Sequence, residues 1–232
     1  LESESVSGNI NDWRSFNIEF DFKNQEIINV RKNCPQYLDY LFESISLNSL
    51  ISFSGNIIKE DESFKNPKVN IKYFVEDGSL KFGKLNLQSI KFNGKVSNGE
   101  YANLSSTKFT FDNFFAKTKC SEFNGDFFIE NLQDFFMNLD MRTKIGGSDL
   151  EMLLEKDNVE SITGNLFLAC NYSGKFSFNN EFKKKFLASK YNFKVDAKNF
   201  SYKLNNFKNT FNVELLDANL NHEKLDIYKS SF

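Results

Sequence analysis

The stretch SFNIEFDF, residues Ser15 to Phe22, alternates apolar and polar residues without interruption and uses Phe as its favoured apolar residue. Successive side chains of a β-strand point to opposite faces of a sheet, so this stretch predicts a strand with one apolar and one polar face. The same alternation recurs in residues 68–73, 108–112, 166–172 and 191–197. The sequence therefore indicates a sheet whose apolar side must be covered by protein or by another apolar group.

The composition narrows the class of protein. The chain has 232 residues, of which 28 are Phe and 8 are Tyr, and 40% of all residues are hydrophobic. This apolar surface is enough to offset the loss of chain entropy on folding, so a disordered chain is excluded. The net charge of −2 argues against a general nucleic-acid binder, which needs a basic surface to displace phosphate counterions.

The three cysteines, Cys34, Cys120 and Cys170, are far apart and form no Cys-x-x-Cys motif. Their odd number and their spacing predict buried free thiols, with one disulfide and one unpaired thiol as the alternative, rather than a zinc site or a disulfide framework. No stretch approaches the roughly 20 apolar residues that span a bilayer as a helix. The chain opens at Leu1 without an initiator Met and stops directly after an alternating segment, so we expect it to be part of a longer protein.

The predicted fold class is all-β. About ten alternating segments predict strands, whereas only Pro35 to about Leu47 predicts a helix, because Tyr37, Leu38 and Leu41 recur at helical spacing behind a proline at a first-turn position. Two architectures remain open. One is an elongated, curled antiparallel sheet that forms a groove, and the other is a β-sandwich, which from the pattern alone is the more common solution.

An approximate internal repeat favours the elongated sheet. The segment Phe53–Ile58 matches Phe123–Phe128 at an offset of 70 residues, which divides much of the chain into residues 53–122 and 123–192. A fixed period is typical of arrays in which each unit covers its neighbour. The four glycines that open apolar runs in this alignment are expected to take positive φ or to mark bulges that coil the sheet, although ordinary hairpin glycines remain an alternative. They are Gly55, Gly94, Gly125 and Gly164.

Several motifs follow one another in a fixed order: PQYLDYL at Pro35–Leu41, SFSGNI at Ser52–Ile57 and NPKVNI at Asn66–Ile71. This order resembles the AsmA-like family of bacterial envelope proteins, in which a leucine-rich amphipathic turn precedes a glycine-containing strand and a strand that opens with proline. The likeness continues through Leu85–Gly94 and Phe123–Leu132. The abundance of Phe, Asn and Lys further resembles the versions found in AT-rich Gram-negative bacteria of the Bacteroidetes type.

The resemblance implies a groove of the kind found in bridge-like lipid carriers, whose curled sheet holds phospholipid acyl chains across the periplasm. It implies a non-enzymatic role in outer-membrane biogenesis, other envelope proteins as partners, and an inner-membrane anchor in a segment outside this chain. The expected lipid-groove residues are the apolar members of the alternating strands. They are Phe16, Ile18, Phe20, Phe22, Val69, Ile71, Tyr73, Leu80, Phe82, Leu85, Leu87, Phe109, Phe111, Phe127, Ile129, Leu166 and Leu168.

The sequence contains few residues in arrangements typical of an enzyme active site. His222 is the single histidine and lies in a predicted turn, so any histidine-based acid–base pair would depend on it alone. The acidic runs at residues 60–62 and 76–77 lack the ligand spacing of a calcium loop. Gly146-Gly147-Ser148 predicts a turn with no helix behind it. We therefore expect no enzyme activity, no catalytic or metal residues, no cofactor and no nucleic-acid partner; the alternative to lipid binding is a structural or adhesion-type β-sandwich that binds a protein.

Overall fold

The computed structural model describes residues 5–12, 15–27, 46–60, 66–82, 84–154, 159–175, 188–205 and 208–231. It confirms the all-β class, since these residues form 13 strands in one antiparallel sheet and one short helix. The strands are β1 (Ser5–Asp12), β2 (Ser15–Glu26), β3 (Ser46–Asn48), β4 (Leu50–Lys59), β5 (Lys68–Phe82), β6 (Leu85–Ser97), β7 (Lys108–Lys117), β8 (Glu122–Glu130), β9 (Phe136–Gly146), β10 (Val159–Lys175), β11 (Lys190–Leu204), β12 (Thr210–Asn221) and β13 (Leu225–Ser231), and the helix is α1 (Gly147–Leu153).

The strands are arranged as a meander. Each strand from β4 onward lies beside its neighbours in sequence, β1 and β2 precede β4 in the same order, and the short β3 pairs with β5. Because β1 and β13 are the two ends of this order and do not pair, the sheet is not closed. The described residues do not form the two-layered sandwich that remained the alternative, since every strand belongs to the same sheet.

The alternation in β2 separates two faces. Ile18 and Phe20 are half-buried, whereas the neighbouring Glu19 is exposed. Directly opposed residues of an antiparallel pair share a face. Ile18 is opposite Ile57 of β4, which is opposite Val69 of β5, so the apolar face continues from strand to strand. We call this apolar side the inner face and the opposite, polar side the outer face.

Bulges bend the strands. The pairing of β2 shifts at Asn24, that of β6 at Ser89 and that of β7 at Asn113, and all three residues have φ between 50° and 54°. An extra residue in one strand bends it and increases its twist. The bulge at Ser89 confirms the change of alternating phase between Leu87 and Ile90 that the sequence shows. The sheet is consequently curled, and α1, which follows β9, contacts β6 three strands away.

The helix was missed by the sequence analysis. The prediction of a turn without a helix at Gly146-Gly147-Ser148 is wrong, because α1 begins at Gly147. Seven residues are too few for a helical hydrophobic period, and a helix of this length is stable only through tertiary contacts. Most of the helix predicted at Pro35–Leu47 lies outside the described residues, and the end of that segment, Ser46 and Leu47, belongs to β3.

The glycines of the approximate repeat divide into two groups. Only Gly164 has a positive φ, +89°, and the pairing of β10 with β11 shifts there. Gly55 instead lies in extended strand, where a Cβ would come 2.1 Å from the main-chain oxygen of Asn70 in the next strand. Gly55 is opposite Ile71 and Gly125 is opposite Met141, so the offset of 70 relates these two pairs. The wider repeat stays a prediction.

The exposed area of the chain agrees with a single layer. Its accessible surface is 15282 Å², whereas a compact monomer of 26.9 kDa exposes roughly 10,800 Å². A sheet that is covered on both faces would expose less. Among the described residues, no second layer of strands packs on the inner face, and many of its apolar side chains are only half-buried.

Candidate functional site: the apolar inner face

A continuous row of apolar positions crosses nine strands of the inner face. Each member is the direct cross-strand partner of the next, and only one member is a glycine. We call this set the apolar row; it comprises Phe22, Phe53, Tyr73, Gly94, Phe111, Phe127, Leu139, Tyr172 and Tyr191. Most of these side chains are only half-buried. The row therefore presents an apolar track that runs across the strands from β2 to β11.

Aromatic contacts join several neighbouring members of this track. The rings of Phe22 and Phe53 stack with centroids 5.1 Å apart, and those of Phe111 and Phe127 stack at 4.3 Å. Between them, Tyr73 contacts Phe111 with a centroid distance of 5.8 Å. Aromatic pairs at such distances add to the stabilisation that burial provides. The surface offered by the row is thus mostly carbon.

The strand register places the predicted groove residues other than Phe82 on the inner face. Phe16, Ile18 and Phe20 share it with Phe22, and Leu80 and Leu87 oppose each other on it beyond the bulge at Ser89. Leu85 is 4% exposed and the other members are half-buried, except that the side chain of Phe82 lies outside the described residues. Sequence alternation predicts these residues as one candidate groove, whereas the phase slips leave open which face each strand uses, and only the strand register resolves it.

The predicted groove list omits about as many inner-face residues as it contains, although several of the omitted residues lie in segments whose alternation already predicts strands. These residues alternate with small or polar neighbours in their strands, so their own periodicity was the available signal. They include Ile51, Phe53, Ile57, Val75, Ile90, Phe92, Phe114, Ala116, Phe123, Met137, Leu139, Met141, Cys170, Tyr172, Tyr191, Phe193 and Val195. Met137, Met141 and Cys170 add polarizable side chains that adapt to irregular contacts.

The inner face is filled with protein near the helix. Val75, Ile90, Phe92 and Ala116 form one buried cluster, and a second cluster around Ile162 packs against Leu150 of α1. Both clusters lie in the half of the sheet nearer α1, which we call the helix end. The opposite end, where residues 98–107 connect β6 to β7, is the loop end. Towards the loop end, members of the face such as Ile129, Met137 and Phe193 are half-buried rather than enclosed.

A buried carboxylate fixes the helix at its end of the sheet. Asp149 is 3% exposed and accepts hydrogen bonds from the Thr118 and Ser121 hydroxyls of the turn between β7 and β8, the latter at 2.5 Å. Glu151 accepts a further bond from the main-chain N–H of Ile162 in β10. Hydrogen bonds to an ionised group are stronger than those between neutral groups. These bonds hold α1 between two distant hairpins of the curled sheet.

Two titratable groups lie on the inner face. Burial, followed by the charge of Asp112, raises the pKa of Tyr73 above its ordinary value. Burial, followed by the charge of Asp140, raises the pKa of Cys170 to about 11. Both groups therefore stay neutral at physiological pH, and neither adds charge to the apolar track.

The described residues show no arrangement typical of a catalytic or metal site. Within them, no three His, Cys, Asp or Glu side chains come together to hold a metal ion. His222 follows β12, where its Nε2 lies 3.6 Å from the carboxylate of Glu223 and its ring contacts Tyr191. A shallow polar cavity of about 540 Å³ is lined by residues such as Glu26, Ser49 and Asp77, away from the apolar row.

None of the described helices has the length and apolar character needed to cross a membrane. Comparisons of the sequence with family models and with curated proteins, and of the chain with solved structures, found no match. The strand register, burial and surface chemistry of the chain itself therefore provide the basis for a functional proposal.

Proposed function

We propose that this protein binds lipid without catalysing a reaction, and that the inner face holds phospholipid acyl chains along the apolar row. The observation that carries the proposal is an apolar track across nine strands, mostly half-buried, in a sheet that is one layer thick. The burial of apolar surface is the largest favourable contribution to the free energy of protein folding and of most protein association, so covering such a face with another apolar surface is favourable. An acyl chain supplies that surface.

The dimensions support more than one acyl chain. Neighbouring strands are about 4.8 Å apart, so the row extends for roughly 38 Å along the sheet. One leaflet of the hydrocarbon core is about 15 Å thick, half of the ~30 Å bilayer core, which approximates the reach of one chain. Each methylene moved from water onto the row contributes about 0.8 kcal/mol. Phospholipid headgroups would remain solvated at the open side.

The resemblance to AsmA-like proteins extends the proposal to a cellular setting. By that likeness, the protein acts in the periplasm of a Gram-negative envelope, conducts phospholipid and contributes to outer-membrane biogenesis. It would be attached to the inner membrane through a segment outside this chain and would work with other envelope proteins. The proposed cellular setting is based on sequence motifs, whereas the proposed binding of acyl chains is based on the burial and register of the inner-face residues.

The test compares one inner-face substitution with its neighbour on the outer face. Ile71 is half-buried between Gly55 and Val96, whereas Asn70 is exposed. We expect Ile71→Arg to weaken the binding of a fluorescent hexadecanoic acid at least tenfold, because it places a charge on the inner face beside the apolar row. Asn70→Arg should change binding less than twofold. Mass spectrometry of the purified wild-type protein should detect co-purified phospholipid.

Three outcomes would contradict lipid binding. The first is an absence of both bound phospholipid and fatty-acid binding in the wild-type protein. The second is equal binding by the Ile71→Arg and Asn70→Arg variants. The third is complete loss of the β-sheet circular dichroism signal in Ile71→Arg but not in Asn70→Arg, which would indicate that the protein's own side chains close the inner face.

A protein partner is the second candidate, and the sheet edges support it. No strand among the described residues pairs with the outer edge of β1 or β13, and Val6 and Ile227 on these edges are 64% and 57% exposed. Unpaired edges are templates for strand addition. Ile227→Lys should abolish binding to such a partner and leave fatty-acid binding unchanged. Unchanged binding to the partner together with a loss of fatty-acid binding in Ile227→Lys would exclude partner binding through this edge.

A further inference from the structure

A cavity of about 420 Å³ lies at the loop end of the sheet, where β9 and β11 begin and β10 and β12 end. Its volume is within the range of about 300–1,000 Å³ that is usual for small-molecule sites. Five asparagines contribute to its lining, and we call it the amide cavity. They are Asn138, Asn171, Asn192, Asn219 and Asn221. The members of the apolar row on β9, β10 and β11 also border it.

The strand register places the five asparagines on the outer face. Asn192 is directly opposite Asn171 of β10 on one side and Asn221 of β12 on the other. The Cβ atoms of directly opposed residues are about 5 Å apart, so these three amides form a row that one small ligand can span. Asn138 and Asn219 lie on the same face of β9 and β12, next to this row.

These amides have hydrogen-bonding capacity that the protein does not use. The Oδ1 atom of Asn219 is buried and has no hydrogen-bond partner among the described residues. A buried acceptor without a partner destabilises a protein unless a ligand or water supplies the donor. Asn138, Asn171 and Asn192 make no side-chain hydrogen bond within the described part of the chain. Asn221 differs, because its Oδ1 accepts bonds from the turn that follows β12.

The chemistry of the lining favours a neutral ligand that is rich in hydroxyl groups. Lys190 and Glu223 are oppositely charged, and the Nε2 atom of His222 lies 3.6 Å from the Glu223 carboxylate. An amide side chain both donates and accepts hydrogen bonds, as a hydroxyl group does, so the two can pair in either direction. A phosphate group offers acceptors only and would leave the Oδ1 atoms of the amides without donors.

We propose that the amide cavity binds a neutral sugar, either free or at the end of a larger glycan. Asn171 and Asn192 donate to and accept from its hydroxyl groups at the exposed side of the cavity. A further hydroxyl group donates to the unpaired Oδ1 atom of Asn219. The asparagines that carry this proposal are on the outer face, so it does not depend on the binding of acyl chains to the inner face.

The outer face of β4 and β5 provides a matched control. Asn56 and Asn70 are direct cross-strand partners there, as Asn171 and Asn192 are in β10 and β11, and they do not line the amide cavity. Asn171 and Asn192 are both exposed, so their truncation should leave the sheet folded. The variants to compare are therefore Asn171→Ala/Asn192→Ala and Asn56→Ala/Asn70→Ala.

The experiment is saturation-transfer NMR with the full chain and a panel of neutral sugars. The panel contains the methyl glycosides of glucose, galactose, mannose and N-acetylglucosamine and a linear trisaccharide of each. We expect transfer to at least one sugar, at least tenfold weaker affinity in Asn171→Ala/Asn192→Ala, and less than a twofold change in the control. Asn219→Ala should weaken the affinity at least threefold. A trisaccharide that binds at least tenfold more tightly than its methyl glycoside indicates a larger glycan, and equal affinities indicate a free sugar.

Three results would overturn the proposal. They are an absence of transfer to every sugar of the panel, equal binding by the amide-cavity and control variants, and binding of inorganic phosphate at the cavity in place of sugar. The hexadecanoic acid assay separates sugar binding from lipid binding, because Asn171→Ala/Asn192→Ala should retain the fatty-acid binding of the wild-type protein.

Discussion

The hydroxyl of Tyr73 in β5 donates a hydrogen bond to the main-chain carbonyl of Thr110 in β7 and thereby crosses Gly94 of the strand between them. Tyr73 and Gly94 are direct cross-strand partners, so the ring lies where a side chain on β6 would otherwise project. A Cβ at Gly94 would come 1.9 Å from the Thr110 oxygen and 2.8 Å from the ring and hydroxyl of Tyr73. An aromatic ring over a glycine stabilises a curved sheet.

Gly94→Ala should destabilise the protein, because the added methyl group meets main-chain atoms that cannot move without disturbing the sheet. We expect the free energy of unfolding to fall by about 2–4 kcal/mol, measured by urea denaturation. Lys95→Ala, on the exposed outer face beside it, is the control and should change the free energy by less than about 0.5 kcal/mol. Equal effects of the two substitutions would contradict the close approach.

The raised pKa of Tyr73 predicts a loss of stability at alkaline pH. Because the folded-state pKa is higher than that of the unfolded chain, the folded state favours the protonated phenol, and this stabilisation is complete below about pH 10. It is lost as the pH rises above that value. The free energy of unfolding of the wild-type protein should therefore decrease more steeply above about pH 10 than that of Tyr73→Phe. Parallel curves for the two proteins would argue against a buried phenol.

The two described cysteines should differ in reactivity. Cys120 is exposed, so the prediction of a buried thiol is wrong for this residue, whereas Cys170 is half-buried on the inner face and its pKa is raised to about 11. Only the thiolate reacts rapidly, so iodoacetamide should modify Cys120 at least tenfold faster at neutral pH in a Cys34→Ser background. Peptide mass spectrometry measures both rates. The difference between the two modification rates should disappear when the protein is unfolded in urea. A difference that persists in urea would have a cause other than the fold.

Asp149→Asn should loosen α1 from the sheet. The substitution replaces a carboxylate that accepts bonds from the Thr118 and Ser121 hydroxyls, and we expect a loss of about 1–3 kcal/mol of stability. Hydrogen exchange should accelerate in α1 and in the turn between β7 and β8 more than in β2 or β4. Ser148→Ala, an exposed change in the same helix, should leave exchange unaltered.

Truncation of a phenylalanine should measure how completely each part of the sheet is filled. Phe92 is 9% exposed in the buried cluster near α1, and Phe74 on the outer face is 46% exposed. Phe92→Ala should cost about 3–5 kcal/mol, because the cavity it leaves is lined by side chains that cannot collapse into it. Phe74→Ala should cost less than about 1 kcal/mol. Thermal or urea unfolding measures the change in the free energy of unfolding for each variant.

The sequence was sufficient for the all-β class and for most of the strands. Alternation reports which side of a strand is apolar, and the slip at Ser89 reports a bulge, because both depend on residues that are close in sequence. The phase slips left open which face each strand uses, and the strand register resolves this for the predicted groove residues other than Phe82. Their role as a lipid groove stays a prediction.

Features that depend on distant contacts were not predictable in this way. The helix α1 is too short for a hydrophobic period and is specified by Asp149 binding to a turn 28 residues earlier in the chain. The filling of the inner face near α1 depends on the curl of the sheet, since Leu150 meets Ile162 only after β10 has returned. The choice between one layer and two likewise depends on tertiary geometry, which an alternating pattern does not encode.

The meander has a consequence for how the chain acquires its structure. Nearly every strand finds its partner in the segment made just before or just after it, so each hairpin can form as soon as its second strand leaves the ribosome. Short loops make contact formation fast, and arrays of this kind gain stability through nearest-neighbour interfaces. Folding should therefore proceed progressively from the amino-terminal strands during synthesis. The chain would then have an ordered apolar row before its last strands are made.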